Sequence, residues 1–428
     1  MLTRTDLRGY EGDLSAVLPR PSGADPDVVA AVRDIIESVQ ERGDTALREL
    51  TKRFDDCVLL ELRVPQEELT RALDRIDPDL RAALEFASDQ ILAYHESQRE
   101  AEAKHERQGV HVRELVVPVD RAGLYVPGGR AAYPSTVLMT AIPARIAGVR
   151  EVVLCVPPDS STGNPPDATL AAAALAGVDE VYRVGGAQAI AAMAYGTESI
   201  RAVDVVVGPG NRYVAAAKRE VQGVVGIESL AAESELAVIA DESSNPEWVA
   251  ADLLAQAEHG PGGVAVVITW SEAFADSVDS SLAARLEQTT RRTEAEATLL
   301  SGGRLLLVDG PAQAMDVANA IAPEHLQLMS ADAELLVADV RNAGAVFCGP
   351  YAPAVVGDYV AGANHVLPTG GTARFASALR VSNFQKRIHV VTLDRDALER
   401  VAPYVKLLAA SEGLDAHAQS IRVREDPA

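Results

Sequence analysis

At 428 residues, 48% hydrophobic and 24% charged, the chain is long enough for two or more domains and has the composition of an ordinary globular protein. Its 39 basic against 62 acidic residues leave a formal charge of −23, which argues against sequence-independent binding to nucleic acid or to an anionic membrane. Cys57, Cys155 and Cys348 are far apart and odd in number, the pattern of reduced thiols in a cytoplasmic protein; no run is apolar enough for a signal peptide or a bilayer span.

Residues 1–25 are polar, carry Pro19, Pro21 and Gly23, and are expected to form an arm or small cap. From Asp27 the pattern is helical: Val28, Val29, Val32, Ile35, Ile36 and Val39 repeat at three and four, and Gly43 punctuates. A second helical stretch runs from Pro78 toward Glu102; His95, His105 and His111 in this polar region read as solvated. After Gln108 the texture changes, with strand-like Val116–Val119 and Gly123–Val126 and then the loop Pro127-Gly128-Gly129-Arg130. To about residue 226, short β-rich runs alternate with Ala-rich helices, which predicts a parallel α/β layer. Its strands are Glu151–Val156, with Cys155 packed inside it, Glu180–Val184 and Val203–Val207.

The last two strands end in Gly185-Gly186 and Gly208-Pro209-Gly210-Asn211 and run straight into helices. Glycines at strand ends let a backbone approach a ligand, and the helix N-termini that follow suit phosphates. Tight βα turns without a ligand look the same, and neither turn is the six-position dinucleotide fingerprint, so both readings stay open. A second α/β layer follows, with strands at Leu236–Ala240, Val264–Thr269 and Arg304–Val308. The N-terminal helices are expected to pack on this layer, which would make the glycine-rich block an insertion.

Between the first two of these strands lies a helix with clear punctuation. Asn245 is its N-cap, Pro246 its first residue, and Gly260-Pro261 its stop. Gln256 and His259 stand three apart in its last turn, where two neutral ligating groups on one face can hold a metal; a plain capped helix with a polar end is the simpler reading, since Gln is an uncommon zinc ligand and one helical pair is short of a full site. Further on, Glu324-His325 sets an acid beside an imidazole, a pairing suited to general base work, although such a dipeptide alone is common and usually structural. Gly357-Asp358-Tyr359 and Asn364-His365 lie in a glycine-rich loop, where polar residues often carry function. His389 alternates in a strand and should face solvent, and Glu412 and His417 lie near the C-terminus.

Taken in order, Gly123–Gly129, Gly185–Ala189, Gly208–Asn211, Gln256–Gly260, Ala322–Leu326, Gly357–Tyr359, Asn364–Thr369, Phe384–Arg387 and Glu412–His417 resemble the motifs of histidinol dehydrogenase. The resemblance runs from about Asp27 to Arg424. It implies oxidation of L-histidinol through L-histidinal to L-histidine with two NAD, the last step of histidine biosynthesis. It implies one zinc per subunit on Gln256, His259, Asp358 and His417, and Glu324 and His325 as the catalytic pair. Ser234, His365 and Glu412, with the zinc ligands and His325, match substrate-binding positions; Tyr125, Gln188 and Asn211 match cofactor-binding ones.

The implied fold is α/β, with two incomplete Rossmann-like domains, a small N-terminal element and a C-terminal helical tail that swaps into the partner of a homodimer with shared active sites. On this basis 1–25 is the arm, 26–124 with 236–378 the first domain, 125–235 the inserted NAD-binding domain, and 379–428 the tail. The chain departs from the family in having Ala232-Glu233 where Gly-Pro or Gly precedes the serine, and Thr140 in place of a common Asn. The extra carboxylate bears on substrate choice. A paralogue using the same zinc and NAD frame on another alcohol, such as a sulfonated diol, is the competing reading. Glu412 and His365, suited to a cationic substrate, point to histidinol, and the survival of Glu324, His325 and all four ligand positions argues against a silent binding protein.

Overall fold

A computed structural model describes residues 2–18, 25–128, 131–229, 233–260 and 262–425. Pro19, Pro21 and Gly23 of the expected arm, Gly129 and Arg130, Ala232 of the family departure, and Pro261 lie outside the described residues. The chain divides into two compact units, Met1–Gln98 with Asp120–Phe384, and Arg99–Val119 with Gln385–Ala428.

The first unit holds two six-stranded sheets. One runs Thr3–Asp6, Gly303–Leu307, Val264–Thr269, Glu235–Ile239, His325–Leu328, Ala345–Cys348, all parallel. Its central strands are continuous apolar runs because helices cover both faces, and the buried clusters on the two sides are separate. The other runs Arg63–Val64, Glu180–Tyr182, Glu151–Cys155, Arg121–Tyr125, Val205–Val207, Gly226–Ile227, parallel except for its first, antiparallel pair. Cys155 is fully buried in it. Among the described residues no helix is long and apolar enough to cross a membrane.

The chain is partitioned differently from the expected 26–124 and 125–235. The helix Pro26–Asp55 buries Val28, Val32, Ile36 and Val39 in one cluster with Ile190, Met193 and Val214, so it covers the glycine-rich sheet and not the Gln256 layer. Helical periodicity fixes which face is buried but not what buries it. Gly43 breaks this helix at φ +51°, and the buried Asp44 that follows accepts hydrogen bonds from Thr197 and Ser199 of the same layer. The N-terminal arm begins as a strand, too short and polar for an alternation to show, which closes one edge of the first sheet.

The second unit is a three-stranded antiparallel sheet, in the order Gln385–Thr392, Val110–Pro118, Lys104–Arg107, with helices Arg395–Ser411 and Asp415–Glu425. Residues 99–119, expected in the first domain, thus pair with the tail. Asp394 caps the longer helix, accepting from Ala397 N–H at 2.8 Å. Tyr404, Leu407, Leu408 and Val423 are exposed on these helices.

Candidate active site

The site forms at the N-terminal edge of the first sheet, where Glu235 and His325 open their parallel strands and the helix Pro246–Ala257 ends. The helix Pro246–Ala257 starts as expected: Asn245 accepts from Glu247 N–H at 2.9 Å. Gln256 is buried in its last turn, whereas His259 follows the helix end in a turn closed by its own N–H on the Gln256 carbonyl, at 3.3 Å, and is exposed. Asp252, one turn before Gln256, accepts from the Gln327 amide at 2.7 Å and ties this helix to the strand His325–Leu328.

Glu324 and His325 enter that strand behind a left-handed turn at Ala322, φ +52°. Both are buried. The Ser234 hydroxyl donates to Glu324 Oε2 at 2.7 Å and lies 3.3 Å from Gln256 Oε1; the Glu235 N–H donates to the same Glu324 oxygen at 2.9 Å. His325 Nδ1 lies 3.0 Å from the Glu235 carbonyl oxygen, which holds that nitrogen as the N–H and leaves Nε2 for chemistry. Nε2 is buried, 3.6 Å from Asp358 Oδ1 and without a hydrogen-bond partner among the described residues.

Charge and burial set the protonation of this group. Burial pushes the Glu324 carboxyl up, against the pull of His325, Ser234 and the Glu235 N–H. Burial alone would lower His325, but Glu324 and Asp358 outweigh it and hold the imidazole above its usual range, which makes it a stronger base. Burial likewise favours a neutral Asp358, but the imidazoles of His325, His365 and His259 keep it an anion. His365 is lowered by burial; its ring contacts the Asp358 carbonyl oxygen at 2.9 Å and Thr136 Oγ1 at 3.1 Å. Thr136 belongs to the helix Pro134–Ala147 of the glycine-rich layer, so the two layers meet at His365.

The structure therefore brings together Ser234, Gln256, Glu324, His325, Asp358 and His365. His417 and Glu412 lie in the second unit, both exposed. Among the described residues no three or more His, Cys, Asp or Glu side chains form a metal site within the chain. What is present still fits a cation: an anionic Asp358 near His259, and Gln256 with a buried, unpartnered amide nitrogen whose oxygen and nitrogen are interchangeable by rotation.

The proposed cofactor residues gather on the other layer. Tyr125 is buried at the end of its strand, and its hydroxyl accepts from Gly186 N–H at 3.1 Å. Gln188 is buried with an unpartnered Oε1. Asn211 is exposed, and its side chain caps the helix Arg212–Val221, accepting from Tyr213 and Val214 N–H at 3.0 and 3.1 Å. Gly208 turns at φ +121°, where a Cβ would land on the Tyr125 carbonyl oxygen. Donors and glycines at strand ends suit a dinucleotide.

Two residues escaped the sequence reading. His95, expected in solvent, is fully buried; its Nδ1 is 2.9 Å from the Ile91 carbonyl oxygen, and Nε2 faces the Asn364 amide that precedes His365. His105, His111 and His389 are exposed. Glu235 adds a third carboxyl beside Glu324 and His325, pushed up to about 7 by burial and by Glu324, and held by Gly370 N–H at 3.1 Å. Its place directly after Ser234 was the only signal available.

The family model for histidinol dehydrogenase matches residues 18–425. The chain is 47% identical over 418 residues to the histidinol dehydrogenase of Rhizobium meliloti (strain 1021), covering 97% of this chain and 96% of that one. It is 47% identical over 429 residues to that of Thermobifida fusca (strain YX), covering 99% and 98%. A crystal structure of histidinol dehydrogenase from Elizabethkingia anophelis matches with a TM-score of 0.94 at 36% identity, over 99% of this chain and 98% of that chain. With sequence and fold matched from end to end, the chain belongs to the histidinol dehydrogenase family of NAD-dependent oxidoreductases.

Proposed function

We propose that the chain oxidises L-histidinol through L-histidinal to L-histidine with two NAD, as the last step of histidine biosynthesis in the cytoplasm. The observation that carries this reading is the buried Glu324–His325 pair, held by Ser234 and faced by Asp358 and His365 in one crevice. Tyr125, Gln188 and Asn211 would hold NAD, which would supply the acceptor for both hydrides. Zinc would be held by Gln256, His259 and Asp358, with His417, and would supply a clamp on the substrate's amine and imidazole, both good zinc ligands.

The protein's own groups then divide the proton work. His325 Nε2 takes the hydroxyl proton as the alcohol becomes the aldehyde. Water must then add to the aldehyde carbon, and Glu324, whose burial raises its affinity for a proton, takes one from that water or from the hydrate. His365 and Glu412 suit a cationic substrate. Glu412 and His417 would come from the C-terminal tail of the partner in a homodimer, where each chain completes the other's site. The test is the NADH formed per L-histidinol by purified, zinc-loaded protein. Two NADH with little free histidinal are expected; one, or no turnover, refutes the assignment.

A further inference from the structure

The strand Val205–Val207 ends between two neighbours whose ladders stop beside it. The last partners are Leu124 with Val207 on one side and Val206 with Ile227 on the other. The next peptide, at Gly208, is buried and turns away at φ +121°, so its N–H and C=O have lost their ladder. Two side chains replace it. Glu228 Oε1 accepts from Gly208 N–H at 2.7 Å, and Lys218 Nζ donates to the Gly208 carbonyl oxygen at 3.1 Å. The two also pair with each other at 2.7 Å, with side chains 2% and 1% exposed.

A buried ion pair is a poor way to stabilise a fold, because apolar residues of similar volume usually do as well. This one clasps both polar groups of a single glycine. That glycine lies against the Tyr125 carbonyl and opens the turn leading to Asn211. Lys218 sits on the helix that Asn211 caps, and Glu228 begins the segment running to Ser234.

We propose that Lys218 and Glu228 are positioning residues for the cofactor: the pair clamps the Gly208 peptide so that the Tyr125 strand end and the Asn211 turn keep the spacing a dinucleotide needs. The inference rests on the NAD reading above. It places a buried cation and anion in service of ligand geometry, one residue removed from any contact with the ligand.

The experiment is a split of kinetic constants in the full-length, zinc-loaded enzyme. Lys218→Met deletes the donor to the Gly208 carbonyl and should raise KM for NAD about tenfold or more, with KM for L-histidinol within about twofold. Glu228→Gln keeps an oxygen acceptor for the Gly208 N–H but leaves the buried Lys218 without its counter-charge, and should raise KM for NAD in the same direction. A role confined to stability would lower the melting temperature and the active fraction yet leave KM for NAD unchanged; that result in folded Lys218→Met overturns the proposal, as does an equal rise in both constants. If Lys218→Met does not fold, Lys218→Arg and Glu228→Asp, which shift the clamp without deleting it, carry the test, and wild-type KM for NAD in both overturns it. If the wild-type enzyme does not turn over L-histidinol, the substrate reading fails separately, and calorimetric titration of the same variants with NAD alone still decides the clamp.

Discussion

Glu235→Gln should change how stability depends on pH. In the folded chain the Glu235 carboxyl is pushed up to about 7 from 4.5, first by burial and then by the Glu324 charge. One oxygen accepts from Gly370 N–H, and the other is buried without a partner among the described residues. Between these two values the folded state keeps a proton that the unfolded chain has released. Stability is therefore full below about pH 4.5 and falls as pH rises through about 7. At about 1.4 kcal/mol per unit, the loss approaches about 3 kcal/mol. A glutamine keeps an acceptor for Gly370 and never ionises. Scanning calorimetry of zinc-free, NAD-free protein should show equal melting temperatures for wild type and variant near about pH 4.5. Near about pH 8 the variant should melt a few degrees higher. Parallel curves for the two proteins across this range would show that Glu235 ionises as it does in water, and the account of its burial would be wrong.

His325→Asn should slow alcohol oxidation roughly a hundred- to ten-thousand-fold, whereas Glu324→Gln should damage the histidinal-to-histidine half more; a wild-type rate of Glu324→Gln on histidinal refutes its water-handling role. Chelation should abolish turnover and zinc restore it, and His259→Asn should weaken zinc binding in a folded protein; full activity in exhaustively metal-free enzyme removes the clamp. His259→Ala and His417→Ala chains, each inactive alone, should regain activity when co-expressed, because one site of the mixed dimer escapes both lesions. Mixed dimers that form and remain inactive would place His417 within its own chain's site.

The parts legible in the sequence are those decided locally. Asn245-Pro246 announces its helix because a cap and a proline act on neighbouring backbone. The runs at Val264–Thr269 and Glu151–Cys155 read as strands because a parallel sheet buried on both faces demands continuous apolar residues. What was missed depends on distant partners. Nothing in residues 26–55 says that their apolar face meets Ile190 and not Leu253, and nothing in 104–118 announces Gln385–Thr392 as its neighbour. His95 stands in a polar stretch, yet Asn364 and the Ile91 carbonyl give its ring two partners, so it is buried. The candidate site residues are named through the ordered motifs; spacing alone leaves Gln256 and His259 no better than a capped helix.

The N-terminal strand pairs Thr3 with Arg304. During synthesis at ~5–20 residues per second, those first residues wait roughly 15–60 s for their neighbour. The glycine-rich sheet has every strand by Ile227, so that layer can close while the other is still being made. Asp358 and His365 arrive later still. Until Thr3–Asp6 docks, the strand Gly303–Leu307 presents an unpaired edge, the kind of surface that recruits other chains. Shortening the N-terminus by a few residues, far in sequence from every candidate site residue, would make that exposure permanent, and its first symptom would be aggregation of newly made chains.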